Sequence, residues 1–279
     1  MKLHFFQWMP QDGVGLPGTS PLVFLHGMGG TGQIWRPIAA KLEDEFRCLA
    51  FDQRGHGQSR PIPDGDSGFH ALDYAEDVRS TLAELAIPRY FLIGHSMGVR
   101  TALALATLAP KQVAGLIGVD IGITSEWGGG IGLPLAQFIE KLPLTFTDRT
   151  TLKEYLFREC PDPAIAQYLT AVAKKVSDEP ETWMFPFEHQ ALIETIHDAN
   201  AAPLEEWVVK LAQAKIPLAF LRGVNSKVWL KKDYETQKAK FSASSVIFEE
   251  WENCGHGLPF EQRARFIEFV RNFALTPSD

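Results

Sequence analysis

Tyr90-Phe91-Leu92-Ile93-Gly94-His95-Ser96-Met97-Gly98 is an apolar run that ends in G-x-S-x-G. It leads directly into Val99-Arg100-Thr101-Ala102-Leu103-Ala104-Leu105-Ala106, a stretch rich in helix formers. A strand that turns abruptly into a helix around this pentapeptide is a nucleophile elbow, with its serine in a strained backbone conformation. The glycines are needed because strand and helix approach too closely there for a Cβ. Ser96 is therefore the candidate nucleophile.

On either side of the elbow, short apolar runs alternate with longer helical patterns, which predicts a mostly parallel, doubly wound sheet covered by helices. The predicted strands are Leu3–Trp8, Leu22–Leu25, Arg47–Phe51, Tyr90–Ile93, Val113–Val119, Leu218–Leu221 and Val246–Glu250. Helical patterns occupy Ile34–Leu42, Ala71–Leu85, Met97–Leu108 and Glu261–Phe273. The alternation breaks between Thr124 and Ala214. Helical pieces are expected there at Leu135–Leu142, Leu152–Cys160, Ala164–Val176, Phe187–Asp198 and Leu204–Ala214, cut short by seven prolines, and no strand is predicted. An insertion of this length is a lid or an added subdomain. The expected division is a core of 1–123 and 215–279 with a helical cap, 124–214, inserted before the penultimate strand; Gly128-Gly129-Gly130 makes a flexible lead into it.

A serine hydroxyl attacks only once a base takes its proton. Of eight histidines, His256 in Cys254-Gly255-His256-Gly257 is the best placed, in a loop after the strand Val246–Glu250. Residues at the C-terminal ends of parallel strands gather over one edge of the sheet, so Ser96 and His256 can meet there. His95 adjoins the serine and should point away from its hydroxyl. The oxyanion of an acyl-transfer intermediate needs backbone N–H donors. One is expected from Met97, immediately after the nucleophile. The other is expected from the loop His26-Gly27-Met28-Gly29-Gly30, with the Met28 amide the best candidate. That loop lacks the lysine a phosphate loop requires.

The bulk properties narrow the function further. A formal charge of −7 and a pI near 5.7 argue against a nucleic-acid partner. The basic run Lys227, Lys231, Lys232, Lys238, Lys240 reads as a solvated helix face. Cys48, Cys160 and Cys254 are widely spaced and lack metal-ligand spacing, so neither a metal nor another cofactor is expected. Met1 to Pro10 has no apolar signal segment and no stretch is long enough to span a bilayer, so a cytoplasmic protein is expected. Oligomeric state, monomer or dimer, is left open.

His26-Gly27-Met28-Gly29-Gly30, then Asp52-Gln53-Arg54-Gly55-His56-Gly57-Gln58-Ser59, then the elbow, then Gly255-His256-Gly257 resemble the α/β-hydrolase superfamily in order and spacing. The resemblance covers nearly the whole chain outside the insertion, which corresponds to the family's cap. It implies structural roles for Asp52, Arg54 and His56. The family usually carries its third triad member in a G-x-x-D turn before the histidine strand. Here that turn reads Gly223-Val224-Asn225-Ser226, without a carboxylate. Asp120 instead ends the strand Val113–Val119 next to the elbow strand. Small bacterial serine esterases with a similar G-x-N-S turn place their acid there, after the sixth strand. Asp120 is preferred over Asp233, with a helix cap as its structural alternative.

The resemblance implies a serine carboxylesterase acting through an acyl-enzyme on small-molecule esters of short to medium acyl chain, thioesters included. His26, Gly27, Trp127, Trp183 and Phe185 are the candidate substrate contacts, with Phe138, Tyr155, Phe157, Tyr168 and Phe187 as further aromatics of the insertion. A carbon–carbon hydrolase or a menaquinone-pathway lyase would share the triad, and Arg100 occupies a place the lyases favour. A non-catalytic ligand-binding protein of the same fold is the alternative from another class.

Overall fold

The structure, a computed structural model, describes residues 1–10, 16, 18–63, 68–123, 132–198 and 202–276. Seven strands form the main sheet: β1 (Phe5–Trp8), β2 (Leu22–Leu25), β3 (Cys48–Phe51), β4 (Tyr90–His95), β5 (Val113–Val119), β9 (Leu218–Gly223) and β10 (Ile247–Trp251). Their spatial order is β1-β3-β2-β4-β5-β9-β10, with β1 antiparallel to β3 and every other pair parallel. The elbow strand β4 is thus central, flanked by β2 and β5.

Both faces of the sheet are covered, which is why its strands read as continuous apolar runs. Val23, Leu25, Leu49 and Phe51 face one layer, with α2 (Ala71–Glu84), α3 (Met97–Leu108) and α8 (Leu204–Gln213). Leu22, Phe24, Cys48 and Ala50, one residue out of phase, face the other, with α1 (Arg36–Ala39) and α11 (Arg263–Leu275). Each fully buried Leu or Phe contributes about 1.5–3 kcal/mol relative to exposure. α3 is buried along its face and flanks from Met97 to Ala106, as the helix of a central elbow must be. The lysines of α9 (Lys231–Lys240) are exposed, in line with a solvated face. Among the described residues no helix is long and apolar enough to cross a membrane.

The insertion differs from its expected form in two respects. It contains a small antiparallel sheet, β6-β8-β7, made of β6 (Thr145–Phe146), β7 (Lys174–Asp178) and β8 (Glu181–Met184). The helix expected over Ala164–Val176 accordingly ends earlier, as α6 (Pro163–Val172). β7 was hidden because Lys174, Lys175, Ser177 and Asp178 lack β-formers, and it forms by pairing with β8 rather than by burial. Its exposed lysines suit a sheet edge. The second difference concerns α8: Leu204, Trp207, Val208 and Leu211 pack in the core layer beside α3, so this helix is built into the core rather than the insertion. The remaining helices, α4 (Gly132–Lys141), α5 (Arg149–Glu159), α6 and α7 (His189–Asp198), share a separate apolar cluster. The insertion docks on the Asp52–Ser59 loop. Gly57 N donates to Pro186 O at 2.7 Å, and Glu188 N donates to Gly55 O at 2.8 Å.

Candidate active site

Ser96 sits between β4 and α3 with φ 53° and ψ −121°. For a residue with a Cβ this conformation costs on the order of 1–3 kcal/mol. It is held from both sides: Ser96 N donates to Val119 O at 2.9 Å, and Val99 N donates to Ser96 O at 2.9 Å. A Cβ on Gly94 would run into the Gly98 carbonyl, and one on Gly98 into the Leu25 carbonyl. The close approach expected of G-x-S-x-G is present on both sides of the serine.

One strand over, Asp120 ends β5 with φ 52°, its backbone N donating to Leu221 O at 2.8 Å. The two side chains are thereby turned over the same edge of the sheet. The Asp120 carboxylate is fully buried and accepts three hydrogen bonds. Gly223 N donates to Oδ1 at 2.9 Å, while the Ser226 hydroxyl at 2.6 Å and His256 Nδ1 at 2.8 Å both reach Oδ2. A carboxylate that is an acceptor only fixes the neutral tautomer of His256 with its proton on Nδ1, leaving Nε2 as the acceptor. The His256 side chain is 37% exposed, enough to meet a ligand. Asp233 lies apart on the first turn of α9. The turn Gly223–Ser226, to which the sequence reading gave no function, therefore supplies two of the three donors to the acid.

Gly27 lies against the elbow: a Cβ there would sit 3.1 Å from Ser96 Cβ and 3.1 Å from His95 Nδ1. Among the described residues neither the Met28 nor the Met97 amide donates a hydrogen bond. Met97 N is a free first-turn amide of α3, where the helix dipole favours negative charge. The loop between them is braced by histidines. Gly29 N donates to His56 Nε2 at 3.1 Å while His56 Nδ1 donates to Arg54 O at 2.9 Å. His26 accepts from Gln53 N at 3.0 Å and donates to Gly27 O at 2.8 Å. With no exposure and both ring nitrogens engaged, His26 braces the loop from beneath, which corrects its assignment as a substrate contact. Burial holds His26 down to about 4 and His56 down to about 3, so both stay neutral. The His95 ring lies beside the His256 ring, centroids 4.7 Å apart. Its Nε2 donates to His256 O at 2.7 Å, and burial lowers it to about 3. Asp52 accepts from Gly32 N at 2.7 Å and Gln58 N at 2.8 Å, and Arg54 pairs with Asp77 at 2.7 Å, structural roles in each case.

The insertion contributes aromatics unequally. Tyr168 and Phe187 come nearest the glycine loop: a Cβ on Gly30 would lie 3.0 Å from the Tyr168 hydroxyl, and one on Gly29 3.4 Å from Phe187. Phe185 is buried in the insertion's own cluster, stacked on Phe187 at 5.2 Å, and Trp183 is half-buried with its Nε1 bonded to Glu181 at 2.7 Å. Phe138 is interior to that cluster and Phe157 faces solvent. Trp127 and Gly128–Gly130 lie outside the described residues. Cys254 is buried and its thiol is pushed up to about 11 by burial, so it is a packing group despite its position next to the base loop.

Comparison with known proteins places the fold. A model of the alpha/beta hydrolase fold family matches residues 20–247. The 2-(acetamidomethylene)succinate hydrolase of Mesorhizobium japonicum is 35% identical over 105 residues, a stretch covering 37% of this chain and only 36% of that protein. The 2-succinyl-6-hydroxy-2,4-cyclohexadiene-1-carboxylate synthase of Salmonella newport is 38% identical over 246 residues, 88% of this chain and 73% of that one. The solved structure of a marine microorganism esterase superposes with a TM-score of 0.77 at 22% identity, covering 98% of this chain and 99% of its own, a likeness of fold. With most of its length matched and a strained serine at the strand–helix turn of a central parallel strand, the chain belongs to the alpha/beta hydrolase fold family.

Proposed function

We propose that the chain is a serine hydrolase that cleaves carboxylic esters of short to medium acyl chain, thioesters included, through an acyl-enzyme. The observation that carries this reading is the 2.8 Å pairing of buried Asp120 with His256 Nδ1 at the strand-end edge that also holds Ser96. His256 Nε2 removes the Ser96 proton as Oγ attacks the ester carbonyl carbon. The resulting oxyanion accepts from the Met28 and Met97 amides, which carry no other partner among the described residues. Asp120 stabilises the imidazolium and keeps its ring in register. His256 then protonates the departing alcohol oxygen, and water repeats the sequence on the acyl-enzyme, restoring free Ser96. Tyr168 and Phe187, above the glycine loop, are the first candidates to contact the acyl chain.

The test is Ser96→Ala assayed on p-nitrophenyl butyrate, with a loss of about 10³-fold or more in kcat expected. Wild-type protein should be labelled at Ser96 by a fluorophosphonate, and absence of labelling would favour a ligand-binding protein. A second reading, elimination or carbon–carbon cleavage on the same residues, is favoured by the 38% identity to the Salmonella synthase. Arg100 offers it little, since its side chain is buried at 3% exposure. Direct assay with that synthase's substrate, beside the ester, separates the two.

A further inference from the structure

The turn Gly223-Val224-Asn225-Ser226 holds both members of the acid–base pair. Towards the acid it presents the Gly223 amide to Asp120 Oδ1 at 2.9 Å and the Ser226 hydroxyl to Oδ2 at 2.6 Å. Towards the base it presents two amides to the segment leading into His256: Val224 N donates to Trp251 O and Asn225 N donates to Cys254 O, each at 2.9 Å. The turn is itself rigid. Ser226 N donates to Gly223 O at 2.9 Å, and buried Arg222 donates to Trp229 O at 2.6 Å and to Ser226 O at 3.3 Å while pairing with Glu250.

The Ser226 hydroxyl has no freedom left. It accepts from Val228 N at 3.2 Å and from Trp229 N at 3.1 Å, which occupies both lone pairs, so its single proton is directed at Asp120. Asp120 Oδ2 is therefore shared between a locked hydroxyl and the imidazole.

We propose that Ser226 is a positioning residue, fixing Asp120 Oδ2 where the His256 Nδ1–H meets it and limiting how strongly that oxygen binds the imidazole. The proposal rests on the triad reading above.

Ser226→Ala removes one donor from Oδ2. The freed oxygen holds the imidazolium more tightly, so the acid limb of kcat/KM moves up by about half a pH unit. The less constrained carboxylate lowers kcat by about tenfold, with KM within about twofold. Ser226→Thr, which keeps the hydroxyl, restores both. The other titratable or charged groups around the pair, His95 on β4, Arg222 on β9, and Cys254 and Glu261 beside the base, are unchanged in these variants. A fall in kcat with an unmoved limb is a structural effect and overturns the proposal, as does an unchanged kcat. Should the alanine variant fail to fold, Ser226→Cys, a weaker donor of similar size, gives the same comparison. Titration of the His256 ring by NMR reads the pairing without turnover. A raised value in Ser226→Ala supports the proposal even if ester hydrolysis fails, and an unchanged one ends it even if hydrolysis stands.

Discussion

The strand-end edge of the sheet and the inserted segment use the same residue type in opposite ways. At the edge, Asp120 is fully buried, sits at φ 52° and receives three donors from two separate parts of the chain, the turn 223–226 and the loop of His256. In the insertion, Asp148 and Asp162 are half-buried helix caps, accepting from Thr151 N at 2.8 Å and from Ala164 N at 2.8 Å. A cap is satisfied by its own next turn and demands nothing of the fold. A buried acid must be supplied from elsewhere, because an unpaired buried carboxylate is far too costly. The edge is therefore rigid by necessity. The insertion, whose Leu133, Leu144, Phe157 and Val176 stand 49–69% exposed, is assembled from short amphipathic pieces around a small cluster. On the proposed function, the edge fixes the reacting atoms and the insertion shapes what reaches them.

The contrast can be broken most forcefully at Asp120. Asp120→Asn should lower kcat on an acyl ester by about 10²–10⁴-fold without changing chain-length preference. Adding Ser226→Asp should return part of the loss, because residue 226 already touches the Oδ2 position from the opposite side. Steady-state kinetics on a chain-length series check both, and a changed preference in the single variant would blur the division between the two regions. The next effect is on stability. Burial depresses His26, His56 and His95 from 6.5 to about 4, 3 and 3, so the unfolded chain binds these protons more readily. Stability is thus complete above about pH 6.5 and declines as pH falls toward those values, by at least about 2 kcal/mol between pH 7 and pH 5. Urea unfolding at the two pH values measures it, and equal midpoints with equal slopes would refute it. The smallest effect belongs to the insertion: Tyr168→Ala should raise KM about three- to tenfold for one end of the acyl series while kcat stays within about twofold. A large fall in kcat for all esters would instead place Tyr168 with the reacting groups.

Local signals made the edge legible. G-x-S-x-G between an apolar run and a helix former places Ser96, and glycine-flanked His256 follows an apolar strand in the same way. Asp120 became the candidate acid because apolar β5 ends in a lone carboxylate and the resemblance to small bacterial esterases implies an acid at that strand end. His26 was misassigned because a histidine beside a glycine loop looks the same whether its ring faces a ligand or the interior. Only the Gln53 and Gly27 contacts distinguish the two. The small β6-β8-β7 sheet leaves little trace because β7 has Val176 as its one apolar residue and takes its conformation from a partner strand rather than from its own pattern.

Sequence alone determined the alternating architecture and the strand–helix elbow, and it marked the residues proposed here as base and acid, since each leaves a trace in neighbouring residues: an apolar period, a glycine pair, a strand end. Tertiary structure decided which groups the Ser226 hydroxyl meets, which side of the loop His26 occupies, and that α8 packs in the core layer. Those depend on hydrogen bonds and packing between segments far apart in the chain, 27 residues for His26 and Gln53 and 106 for Asp120 and Ser226. No local pattern encodes a partner that only folding brings near.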